Sequence, residues 1–216
     1  TRIIYQHKIY ERIITGAGTT APNLDQVNWM YLSYTNKYRM FDNILSNTSD
    51  RVGGIHFTLT PNQLVDSVVL LGVNAAQVRV VMTDPIFGVV YDQIRYMTTL
   101  DAIIDYYTYF FSDVQSASPN AVFTGLPIMP TATIDVYVDN GTGLAQVGEV
   151  IYGSQKVVGR TNYNTNIGIK SFSRKEFDEF GNIVVVKRKN SKYAEYDIDI
   201  DNTNLADVQR FFADID

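Results

Sequence analysis

The sequence predicts a mainly β protein, built as an antiparallel β-sandwich with a small N-terminal β segment and a C-terminal β-hairpin followed by a helix. Three observations carry that expectation. Short runs of Val, Ile, Tyr and Phe alternate with polar residues at a period of two. Gly, Pro, Asn and Asp punctuate those runs at short spacing. Aromatic residues are abundant and of the strand-favouring kind, with 15 Tyr and 11 Phe against one Trp.

The elements follow in order. Lys8–Ile14 and Val27–Tyr31 read as two short strands around the loop-forming run Gly16–Asn23. Ile55-His56-Phe57-Thr58-Leu59 alternates strictly, with Ile55, Phe57 and Leu59 inward and His56 on the polar face. Asp66–Val73 is more continuously apolar, as in a strand covered on both sides. Gln77–Val80 alternates again, and Asp84-Pro85 with Phe87-Gly88 marks a turn into Val89–Tyr91 and Ile94–Met97. Thr99–Asp113 has mixed signals: Leu100, Ile103, Ile104 and Tyr107 have helical spacing, while Tyr106–Phe111 has strand propensity, and the reading favours a turn leading into a strand. Thr133–Val138 alternates and is expected to end in a turn at Asp139-Asn140-Gly141, and Val147–Gly153 is a glycine-bounded strand.

Toward the C-terminus, Glu176–Lys189 is a charged hairpin around Asp178–Asn182. Tyr193–Asp201 alternates, and Asn204 can cap a helix from Leu205 to Ala213 whose apolar stripe is Leu205, Val208, Phe211 and Phe212. A helix with such a stripe needs a surface to pack on. The expected division is residues 1–36 as a partial small β module, 37–158 as the sandwich, and 159–216 as part of an assembly domain.

Composition narrows function by exclusion. The formal net charge is −5, so the chain lacks the basic footprint of a nucleic-acid binder, and the cationic run Lys187–Lys192 lies beside an acidic strand. There are no cysteines, which removes disulfides, thiolate metal sites and thiol nucleophiles. No apolar run approaches the ~20 residues of a membrane span, and the first residues lack the shape of a signal peptide.

Two histidines, His7 and His56, stand in no spacing that suggests a triad or a metal site. Asp197, Asp199 and Asp201 invite a calcium reading, but alternate strand residues lie about 7 Å apart along one solvated face. No glycine loop stands where a phosphate cradle would need it. No cofactor and no enzymatic activity are expected.

A resemblance adds to this reading. Thr35–Asp42, Gly54–Pro61, Val68–Ala76, Gly88–Asp92, Tyr109–Phe111, Gly148–Gly153 and Ser173–Asn182, in that order, resemble a family of bacteriophage virion proteins, large structural components of phage tails. The resemblance runs from about Lys8 to the end. It implies a virion tail protein made in the bacterial host cytoplasm, with other tail proteins and copies of itself as partners.

The central region also resembles a galactose-binding-like jelly roll, through Leu59–Gly72 and Val78–Tyr91, which implies docking to a protein or a glycan. The N-terminal piece resembles the second half of a chitin-binding-type module, with Tyr10, Pro22 and Trp29 at its aromatic and proline positions. Because that module looks cut, Thr1 is not expected to be the natural start.

Sugar sites combine aromatic faces with Asn, Asp or Arg for the hydroxyls. On that ground Trp29, Tyr31, Tyr38, Arg39 and Asp42 are the candidate glycan or partner contacts, with Asn28 beside them. The leading expectation is therefore an assembly component of a phage tail, at the tip or baseplate, that can also bind a host-surface glycan. The alternative is a free carbohydrate-binding module.

Overall fold

The structure is a computed structural model that describes residues 1–14, 20–97, 106–111, 119–163, 165–177, 180–188, 190–201 and 203–213. The chain divides into two compact units, Thr1–Gln155 and Lys156–Asp216.

The first unit opens with an antiparallel sheet of β1 (Arg2–Tyr5), β2 (Lys8–Arg12) and β3 (Trp29–Tyr34). Gln6 and His7, both at positive φ, make the two-residue turn between β1 and β2, the geometry that matches the twist of a tight hairpin. The pairing of β2 with β3 shifts by one residue between Ile9 and Tyr10, which leaves Leu32 without an opposite number. That bulge reverses the inward and outward alternation beyond it. A 3₁₀ helix, Asn36–Phe41, follows. The Asn36 side chain holds it against the next strand, donating from Nδ2 to the Asp50 carbonyl at 2.7 Å and accepting from the Asp50 N–H at 3.0 Å. Buried Ser49 adds a second tie, accepting from the Met40 N–H at 3.0 Å and donating to the Asn36 carbonyl at 2.6 Å.

Seven strands then form two antiparallel sheets. β4 (Ser49–Leu59), β9 (Thr133–Val147), β6 (Gln77–Asp84) and β7 (Gly88–Tyr96) lie in that spatial order. β10 (Glu149–Gly153), β5 (Ser67–Leu71) and β8 (Ala121–Thr124) form the other sheet. The chain crosses repeatedly between the two, with β6 and β7 consecutive in the larger sheet, and both feed one core. Phe57, Val78, Val80, Met82, Ile134, Val136 and Val138 come from the larger sheet, and Val68, Leu70, Phe123 and Val150 from the smaller. This is mainly β, antiparallel architecture, consistent with a β-sandwich. The sequence alternation is its cause: on β6, Val78, Val80 and Met82 are buried while Arg79 is exposed.

The passage from β9 to β10, one sheet to the other, is made by Gly148 alone. A Cβ there would stand 2.7 Å from the Leu45 carbonyl oxygen and 3.0 Å from that of Leu71. Only glycine allows the backbones to approach this closely at the corner.

Two local expectations are corrected. Asp139-Asn140-Gly141 does not end a strand. It lies inside β9, where Asn140–Gly143 stand opposite the single Gly53 as an enlarged bulge. The Asp139 carboxylate accepts from the Gly141 N–H at 2.9 Å, and Asn140 Nδ2 donates to the Leu144 carbonyl at 2.8 Å. The same turn chemistry serves a bulge as well as a hairpin. Tyr106–Phe111 is a short helix, α1, not a strand. Helical spacing through Tyr107 prevails here over local strand propensity, and the rest of Thr99–Asp113 lies outside the described residues.

In the second unit, β11 (Arg160–Thr161) pairs with β16 (Ile198–Asp199), β12 (Asn166–Ser171) with β15 (Asn190–Glu195), and β13 (Arg174–Phe177) with β14 (Ile183–Val186). The registers nest, so the pairs are successive stretches of one antiparallel ribbon that turns back at Phe180-Gly181. Each arm spans up to about 55 Å if extended throughout. Helix α2, Leu205–Ala213, occupies the span the apolar spacing predicts. Among the described residues no helix is long and apolar enough to cross a membrane.

Candidate binding surfaces

The N-terminal sheet gathers aromatic rings and cations on one face. In β2, Lys8, Tyr10 and Arg12 share that face by alternation. Opposite them stand Tyr34, Tyr31 and Trp29, in that order. Without the extra residue Leu32, Tyr31 and Tyr34 would point to opposite sides. With it their rings meet edge to face at 6.0 Å, and Tyr31 meets Tyr10 at 5.9 Å. Lys8 Nζ lies 5.1 Å from the Tyr34 ring centre and 5.8 Å from that of Tyr31. The Arg12 guanidinium lies 5.4 Å from the Trp29 ring.

A cleft of about 370 Å³ opens over these groups. Tyr10, Trp29, Tyr31 and Lys8 line it together with Pro22, Asn23 and Gln26 from the following loop. Tyr10 is buried in its floor and Tyr31 is 45% exposed. Burial, then the neighbouring Tyr34 and Asp42, push the Tyr31 hydroxyl above its ordinary pKa while Lys8 opposes them. The Trp29 Nε1 is buried and meets no acceptor among the described residues.

Of the five residues singled out from sequence, Trp29 and Tyr31 line this cleft, and the other three are placed elsewhere. Tyr38 stacks on His7, with ring centres 3.8 Å apart. Arg39 has its Nε buried without an acceptor among the described residues. Asp42 closes its own loop, accepting from the Ile44 N–H at 2.9 Å and from Asn47 Nδ2. Asn28 is engaged with Asp25 through Nδ2 at 2.7 Å and through its N–H at 3.2 Å. Sequence reasoning missed Lys8, Arg12 and Tyr34, whose signal is the alternation Lys8-Tyr10-Arg12 combined with the cross-strand register.

A second polar surface is the outer face of the four-stranded sheet. His56 stacks on Tyr137 at 4.3 Å and approaches Asp135 at 3.4 Å. Arg79 is held bidentately by Asp92 at 2.8 and 2.5 Å, and Gln77 donates to Asp139 at 3.2 Å. His56, Tyr137, Arg79, Gln77 and Asp139 line an open hollow of about 570 Å³ together with Gly53 and Gly54. Arg79 and His56 face carboxylates there, while Arg51 also lines the hollow. Among the described residues no group of three or more His, Asp or Glu could hold a metal ion.

The third surface is the ribbon. Among the described residues from 156 onward, Val208 alone is buried. Ile167, Ile169, Phe177, Ile183, Val185, Tyr193 and Tyr196 are all exposed, Ile167 at 73% and Phe177 at 74%. No family model matches the chain, and no curated protein or solved structure matches it.

Proposed function

We propose that the chain is a structural component of a bacteriophage virion tail, in the tip or baseplate region, with residues 156–216 as its assembly element. The observation that supports this most is the ribbon without a core. A lone two-stranded ribbon is marginal in water at best. This one exposes Ile, Val, Phe and Tyr along most of its length, and such side chains become stabilising when neighbouring subunits cover them. The resemblance to virion tail proteins supplies the setting. The chain is made in the host cytoplasm and joins copies of itself and other tail proteins through the ribbon and helix α2. The seven-stranded part reads, more finely, as a galactose-binding-like jelly roll with a stable core of its own. The proposal gives the chain no catalytic step.

The experiment is antibody labelling of intact phage particles viewed by electron microscopy. Label concentrated at the tail tip supports the assignment. A chain absent both from the particles and from their denatured protein sinks it.

A second reading has its own support. The cleft over Tyr10, Trp29 and Tyr31, with the amides of Asn23 and Gln26 at its side, suits a host-surface glycan, since apolar ring faces beside hydrogen-bonding amides match the two chemistries of a sugar. It applies equally to a tail component and to a free carbohydrate-binding module. Tyr31→Ala separates binding from folding, because Tyr31 is half exposed.

A further inference from the structure

We propose that the N-terminal aromatic cleft selects an acidic polysaccharide, one bearing carboxylate, sulfate or phosphate groups, over a neutral one. The inference rests on the glycan reading of that same cleft and adds the sign of the ligand's charge.

Charge is distributed unevenly across the two faces of the sheet. Alternation puts Lys8 and Arg12 on the aromatic face and Glu11 on the opposite one, where it pairs with Arg2 at 3.3 Å. The carboxylates nearest the cleft are engaged within their own loops: Asp25 by Asn28, and Asp42 by the Ile44 N–H and Asn47. Asp42 is close enough to act on Tyr31, and Lys8 opposes it there.

Neither cation on this face has a carboxylate partner among the described residues. Lys8 rests over Tyr31 and Tyr34, and Arg12 rests over Trp29 while donating to the Ile14 carbonyl at 3.0 Å. A cation over a ring keeps its full charge and is held in place by the ring's negative face. The result is a row of ring faces interleaved with fixed positive charge, in a chain whose net charge is −5. A neutral sugar would use the rings and leave the cations idle. A sugar carrying anionic groups along its chain would use both, with charge-assisted hydrogen bonds where the anions meet Lys8 and Arg12.

The test is a glycan array carrying neutral oligosaccharides beside their uronate-, sulfate- and phosphate-bearing counterparts, probed with the full chain. The acidic members should bind and their neutral counterparts should not. Raised salt should weaken the best acidic hit, and Lys8→Gln with Arg12→Gln should weaken it roughly tenfold with an unchanged melting midpoint. Tyr31→Ala should weaken it too, since the rings and the charges act together. If the double variant melts early, Lys8→Gln alone and the salt titration of the unaltered chain decide the matter. Equal binding of acidic and neutral members, indifferent to salt and to Lys8→Gln, overturns the inference while the glycan reading stands. No binding to either set overturns both.

Discussion

Residues 1–155 and residues 156–216 are made of the same material, antiparallel strands rich in Val, Ile, Tyr and Phe, but they differ in what those side chains meet. In the first unit, Phe123, Leu70, Met82 and Ile134 are fully buried between two sheets. In the second, Ile167, Ile169, Phe177, Ile183, Val185 and Tyr193 lie open along a two-stranded ribbon. The difference teaches that strand alternation is not by itself a core. A sheet stabilises a protein only when its apolar face finds another layer. A region that has the alternation and lacks the layer carries a demand for a partner.

Substitutions can break or sharpen that contrast. The largest effect is expected at Phe123→Ala, which empties the shared core and should cost about 3–5 kcal/mol, read by urea unfolding. A loss below about 1 kcal/mol would mean that the two sheets do not pack as one body. Next is Gly148→Ala, where a Cβ would meet the Leu45 and Leu71 carbonyl oxygens at 2.7 and 3.0 Å. The neighbours are backbone and cannot swing aside, so about 1–3 kcal/mol should be lost.

Asp84 should give a pH signature confined to the first unit. The Ile86 N–H, the Phe87 N–H and then the Thr131 hydroxyl hold its carboxylate below the ordinary value of 3.8. Stability from this group is therefore complete above that value and is lost as pH falls through the lowered one. Asp84→Asn should remove that part of the acid dependence in melting curves across the acid range. The smallest effect belongs to the ribbon. Ile167→Ser and Ile169→Ser should change the unfolding of the dilute chain by less than about 0.5 kcal/mol, yet abolish its association in sedimentation experiments. Unchanged association would place the assembly contact elsewhere.

The legible parts of the sequence were those fixed by local period. The alternation at Gln77–Val80, the apolar run inside Asp66–Val73 and the helical stripe from Leu205 reappear as β6, β5 and α2. What local reading could not supply was the partner of each residue. Asn140-Gly141 has hairpin chemistry, and only the distant Gly53 makes it a bulge. Trp29 and Tyr31 stood out by residue type. That Tyr34, opposite Lys8, joins their face depends on one unpaired residue, Leu32, which period-two counting cannot foresee. Arg39 and Asp42 were chosen by nearness in sequence, but Asp42 accepts bonds within its own loop, a local use that short Asp side chains favour.

Among the described residues of 156–216 only Val208 is buried, and amide hydrogen exchange on the dilute full chain tests that lack of a core. The expected result is strong protection along β6 and β9 and exchange close to that of fraying segments along β12 to β15. Protection of the ribbon amides equal to that of β6 and β9 in the dilute chain would contradict the account.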